Sequence, residues 1–167
     1  GWTTTEINGV TAWVADVSDD PDFYSLYNNE RHLPVSRYPE EDYLFAVDGP
    51  SSVGVGASQP WSAFGNPEDL IDFYSLESVL VHIIARGWTE DILHVRSLDT
   101  MTGEIEFDYG TLFGLERDER YWFTNVREAL NDPGEWYLDR TEQKVYYIPQ
   151  EGETFENTAI YRGSLNY

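Results

Sequence analysis

The stretch that most limits what this chain can become is Asn125–Pro149, NVREALNDPGEWYLDRTEQKVYYIP. Val126, Ala129 and Leu130 recur at helical spacing. Asn125–Leu130 therefore reads as a short helix, with Asn125 as its N-cap and Glu128 three residues on. Asp132-Pro133-Gly134 stops the helix and turns the chain. Glu135–Asp139 then alternates, with Trp136 and Leu138 sharing one face, and Lys144–Ile148 is a second aromatic strand. Arg140–Gln143 supplies a four-residue hairpin connection between them. A chain built around this unit is committed there to antiparallel strands.

The remaining segments follow the same habit. Thr3–Ile7 and Val10–Val17 flank Asn8-Gly9, a two-residue hairpin signal. In the second strand Trp13, Ala15 and Val17 share one face and Ala12 and Val14 the other, which suits a strand inside a sandwich or barrel. Phe23–Tyr27 and Arg31–Val35 make a second hairpin around Asn28-Asn29-Glu30, and Tyr43–Val47 is a short strand. Asp48–Pro60, rich in Gly, Ser and Pro, reads as a long surface loop. Asn66-Pro67-Glu68-Asp69 opens one or two helical turns. Val79–Ala85 is the most apolar run and belongs at the centre of a sheet. Ile92–Ser97, Glu104–Tyr109, Tyr121–Phe123 and Thr158–Tyr161 complete about ten short strands with one or two short helices. The expectation is an all-β antiparallel barrel or sandwich, one domain over residues 1–167. The strand-like start at Gly1 reads as a piece of something longer.

Charge narrows the function. Lys and Arg number 10 against 31 Asp and Glu, a net charge of −21. That field repels phosphate backbones and excludes nucleic acid as a partner. No apolar run approaches the roughly 18 residues of a membrane helix, so no membrane partner is expected. The absence of cysteine excludes disulfides, thiolate metal sites and a Cys nucleophile. A strongly acidic surface suits a secreted protein of a salty, marine or halophilic habitat, where ions screen self-repulsion.

Aromatics form 16% of the chain, more than a core needs, which leaves rings for a binding face. Trp61 and Phe64 end the long loop. Trp61 either stacks on a pyranose ring or folds back as a lid on the core. Trp88, between Arg86 and Glu90-Asp91, is a second sugar platform or a plug at a barrel end. Arg37-Tyr38 offers a guanidinium fork and a ring face that suit sugar hydroxyls, or an Arg held against an acid. The candidate carbohydrate-binding residues are thus Trp61, Trp88, Arg37, Tyr38, Phe64 and Glu90. Asp16, Asp19, Asp20 and Asp22 are either a solvated acidic turn or oxygen ligands for Ca²⁺; no other cofactor is expected. His32, His82 and His94 are scattered, and His82 reads as a satisfied core histidine. Carboxylate pairs such as Glu40 with Asp42, or Glu90 with Asp91, hydrolyse glycosides only if held roughly 5–9 Å apart. A chain this acidic produces such pairs by chance, and no Gly-x-Ser-x-Gly elbow or phosphate loop occurs.

The Asn125–Pro149 stretch resembles the signature of an all-β insertion domain found in secreted right-handed parallel β-helix proteins of the glycoside hydrolase family 141 type. Gly9–Val17, Phe23–Pro39 and His82–Arg96 fall in that domain's usual order. Asn131 stands where Asp is usual, and Gln143 where a turn Gly is common. The resemblance implies an accessory domain that interrupts a β-helix, with the catalytic carboxylates in the β-helix and none carried here. It leaves two roles open: a carbohydrate-binding module, or a structural insertion that packs on its parent β-helix and shapes the substrate cleft.

Overall fold

The computed structural model describes residues 1–17, 23–29, 31–49 and 61–163. The chain forms two compact units, one from Gly1–Ser36 and Asn125–Tyr167, the other from Arg37–Thr124.

In the first unit β1 (Thr3–Ile7) and β2 (Val10–Asp16) form the expected hairpin, pairing Ile7 with Val10. Asn8 and Gly9 take φ of 50° and 80°, the left-handed pair that a tight turn between twisted strands requires. β3 (Leu26–Asn28) pairs with β4 (Arg31–His32). β12 (Trp136–Asp139) and β13 (Lys144–Tyr147) give the four-stranded order β1-β2-β13-β12, and β14 (Ile160–Arg162) joins β3. Alternation sorts the rings by face. Trp13, Trp136, Leu138 and Tyr147 join Phe23, Leu26 and Leu33 in one cluster; Ala12 and Tyr137 join Ile7, Leu130 and Ile148 in another. Phe23 stacks on Trp136 at 5.6 Å, and the Trp136 indole donates to Leu33 O at 3.1 Å.

The expected helix at Asn125–Leu130 is a single 3₁₀ turn, Arg127–Ala129, and Asn125 does not cap it. Asn125 is buried with φ at 57°. Its Nδ2 donates to Leu138 O, and its Oδ1 accepts from Leu138 N, both at 2.7 Å. The side chain imitates a neighbouring strand for β12, a better use of a buried amide than a helix end with few apolar residues behind it.

In the second unit β5 (Arg37–Tyr38), β6 (Leu44–Phe45), β7 (Ser62–Phe64), β8 (Leu80–Ala85), β9 (Thr89–Leu98), β10 (Glu104–Phe107) and β11 (Arg120–Thr124) form one sheet. Its order is β5-β11-β8-β9-β10-β7, with β6 also on β11. β8 is central, as its apolarity predicts. Val81, Ile83, Ile105, Phe107, Tyr121 and Phe123 are buried together on the same side of the alternation. Gly65 lies against the Tyr121 hydroxyl, and any Cβ there would collide with it.

Among the described residues the strands number fourteen rather than ten. The helical elements are three 3₁₀ turns, Pro67–Asp69, Leu76–Ser78 and Arg127–Ala129. Among the described residues the strand path β5-β11-β8-β9-β10-β7 does not close on itself, and only an isolated bridge, Asp48 to Phe64, lies beyond β7, so the barrel alternative is set aside. No helix of the described residues is long and apolar enough to cross a membrane. Most of the Asp48–Pro60 loop lies outside the described residues.

Candidate functional site

Register and parity build one outer face in the second unit. β11, β8 and β9 align Trp122 with His82 and Ile92, and Arg120 with Ile84 and Glu90. Because Tyr121, Phe123, Val81 and Ile83 point into the core, these neighbours point out. The Trp122 ring stacks on His82 at 4.7 Å with 16° between planes. His82 Nδ1 meets Glu90 Oε1 at 2.9 Å, and Nε2 meets Thr124 Oγ1 at 2.8 Å. His82 is thus satisfied, on the outer face rather than in the core. The Tyr43 ring packs edge-on to Trp122 at 5.3 Å. Arg37 lies 5.4 Å over both rings, and Arg120 lies 5.1 Å over Tyr43. Two of only ten basic residues converge on this strip. Ile92 and Phe45, both more than half exposed, continue it with apolar surface.

The sequence-predicted residues divide around this face. Arg37 and Glu90 belong to it. Arg37 also donates to the carbonyls of Pro39 at 2.9 Å, Glu40 at 3.1 Å and Asp42, so its fork fastens the 39–42 turn. Tyr38 pairs in register with Phe123, and Arg37 with Thr124, so the two side chains leave β5 on opposite faces and do not present fork and ring together. The Tyr38 hydroxyl donates to Asp69 O at 2.8 Å, and burial, with the nearby Asp69 carboxylate, raises its pKa. Phe64 is half-buried in β7.

Trp61 is 52% exposed beside β7, where its carbonyl accepts from Phe107 N at 2.8 Å. Trp88 is 72% exposed in the β8–β9 turn, held open by Arg86 and Gly87 at φ 54° and 75°. Its ring leans on Phe113 at 5.6 Å, and the Arg86 guanidinium covers Phe113 at 4.4 Å. The structure does not bring the two tryptophans together. Trp61 meets the sheet level with Val95 through Phe107, and Trp88 precedes Thr89. Six residues of β9 separate those levels, roughly 20 Å at about 3.3 Å per residue.

Glu90 and Asp91 are strand neighbours on opposite faces, Glu90 on His82 and Asp91 accepting from Leu112 N, so they form no facing pair. Among the described residues no group of three or more His, Cys, Asp or Glu is placed to hold a metal. Asp16 ends β2 exposed, and Asp19, Asp20 and Asp22 lie outside the described residues. Sequence reasoning missed Trp122, Tyr43 and Arg120. The signal was the alternation of RYWFT, which sends Arg120 and Trp122 out whenever Tyr121 and Phe123 go in.

These sheets define an antiparallel all-β domain with aromatic rings and arginines on an outer sheet face. Residues 113–150 match the GH141 insertion domain, a segment that takes in β11, β12 and β13. A solved glycoside hydrolase structure superposes with a TM-score of 0.66 at 22% identity, over 96% of this chain and 30% of that one. The chain therefore has the fold of a portion of that protein and spans about a third of its length. No curated protein sequence matches the chain. The resemblance carried by Asn125–Pro149 stands: that stretch lies within the segment that matches the GH141 insertion domain, and the chain's fold is similar to part of a glycoside hydrolase.

Proposed function

We propose that this chain is the non-catalytic insertion domain of a secreted polysaccharide-degrading enzyme, a glycoside hydrolase or polysaccharide lyase. Its task is to grip a neutral or weakly charged cell-wall or algal polysaccharide through outward rings. The observation that carries this reading is Trp88, 72% exposed yet leaning on Phe113, whose ring the Arg86 guanidinium covers. A flat apolar face in water suits the C–H face of a pyranose. Trp61 and the Trp122 strip give further contacts, and the charge of −21 disfavours a polyanionic glycan. Retardation in native gels containing agarose or xylan tests the reading. The intact domain is slowed by at least one such matrix, and Trp88→Ala weakens that retention about tenfold, the loss of one stacked ring. A domain that no matrix retards contradicts it.

One observation favours a second reading, a structural insertion that packs on a parallel β-helix and shapes its cleft. Ile92 and Phe45 place exposed apolar surface beside Trp122, as a protein neighbour would use. Under that reading Ile92→Asp destabilises the longer β-helix protein while leaving the isolated domain unchanged.

A further inference from the structure

The first unit holds an open pocket of about 510 Å³ lined by Asn28, Asn29, Arg31, Gln150 and Glu153. These residues come from the β3–β4 hairpin and from the turn after β13. Their bonds fix the pocket from beneath. Glu153 accepts from the Tyr147 hydroxyl at 2.6 Å, from Gln150 N at 2.8 Å and from Asn28 Nδ2. Asn28, only 4% exposed, also donates to the Tyr147 hydroxyl at 3.3 Å. Arg31 Nη2 donates to Gln150 Oε1 at 2.7 Å and holds that amide across the opening. Gly134, at φ 97°, leaves room for it, because a Cβ there would come within 2.6 Å of Gln150 Nε2.

Several donors of these lining residues remain free. Among the described residues no acceptor takes the Asn29 Nδ2 protons, the Gln150 Nε2 protons or the remaining Arg31 N–H groups. A carboxylate offers about four lone-pair sites, and the three bonds above leave Glu153 about one. The pocket thus presents several fixed donors and a fixed acceptor side by side. The exposed Tyr161 stands beside it, stacked on Tyr27 at 5.7 Å and 8°, with its hydroxyl donating to Asn29 O at 3.2 Å.

A hydroxyl that donates and accepts at once is satisfied by such a mixture, and a carboxylate or phosphate would meet Glu153. We propose that this pocket is a binding site for a single neutral sugar residue, with Tyr161 against its C–H face and Arg31, Gln150 and Glu153 on adjacent hydroxyls. The proposal rests on the reading of the chain as a carbohydrate-handling domain, but it uses a different unit and different residues.

The test is a titration of the ¹⁵N-labelled protein with methyl β-glycosides of glucose, galactose and xylose, following the side-chain amides of Asn29 and Gln150. At least one glycoside shifts both amides saturably. Arg31→Ala, at an exposed edge strand, weakens that binding about tenfold, the loss of one charge-assisted hydrogen bond. Tyr161→Ala weakens it as well, and the amide spectrum of each variant checks that it stays folded. Trp88→Ala leaves these shifts in place while reducing polysaccharide retention, so the two proposals fail separately. No saturable shift with any of the three, or an Arg31→Ala protein that binds as before, overturns the pocket. Tighter binding of methyl glucuronoside or acetate than of the neutral glycosides also overturns it, since Arg31 would then be an anion clamp.

Discussion

The two units use the same residue type in opposite ways. The first unit buries Trp13 and Trp136 and half-covers Trp2; the second leaves Trp61 and Trp88 exposed and Trp122 half-buried on an outer face. For Trp136 and Trp122, which both lie within strands, the difference lies in strand parity. Leu138 shares the face of Trp136 and is buried with it. Arg120 and Thr124 share the face of Trp122, while its immediate neighbours Tyr121 and Phe123 fill the core. A tryptophan whose alternate neighbours are polar is displayed, and the second unit needs no indole inside because Val, Ile, Phe and Tyr already fill it.

Substitutions sharpen the contrast. Trp136→Ala carries the largest expected effect, about 3–5 kcal/mol lost in chemical denaturation, since it empties a stacked site 2% exposed. Asn125→Ala follows at about 2–4 kcal/mol, because the Leu138 N–H and carbonyl both lose their partner in the interior. Gly65→Ala costs about 1–3 kcal/mol by driving a methyl into the Tyr121 hydroxyl, and Tyr121→Phe in the same chain recovers part of it. Tyr121→Phe alone changes stability by less than about 1 kcal/mol, because the hydroxyl is buried without a hydrogen-bond partner among the described residues. If Trp122→Ala proved as costly as Trp136→Ala, the contrast between the units would collapse.

Alkaline pH separates the units in a second way. Burial raises the Tyr121 pKa above the ordinary 10.0, helped by Asp69 and Tyr38; burial raises that of Tyr147, helped by its bond to Glu153. The folded state holds both protons more tightly than the unfolded chain. Their contribution is complete below pH 10.0 and is lost as pH rises above it. Tyr121→Phe therefore flattens the alkaline fall of the denaturation midpoint only in part, with the remainder in the unit that holds Tyr147.

Much of this was legible in the chain. Asn8-Gly9 announced its hairpin, the alternation of Trp136 and Leu138 gave β12 its faces, and Val79–Ala85 located the centre of the larger sheet. Asn125 was misread because its partner, Leu138, lies thirteen residues away, and a capping pattern is local while that bond is tertiary. The Arg37-Tyr38 pair looked like one surface because adjacency in sequence was taken for adjacency in space, which a strand forbids. Trp122 was passed over because its row, with His82 and Ile92, exists only once β8, β9 and β11 are in register.

The central claim is that the second unit's rings meet sugar while the first unit's core tryptophans hold the fold. The six tryptophans give six indole N–H resonances. With soluble oligosaccharides of a matrix that retards the domain, the account predicts movement of Trp88, Trp61 and Trp122 and stillness of Trp13 and Trp136. Stationary signals from Trp88, Trp61 and Trp122 at saturating oligosaccharide would contradict it.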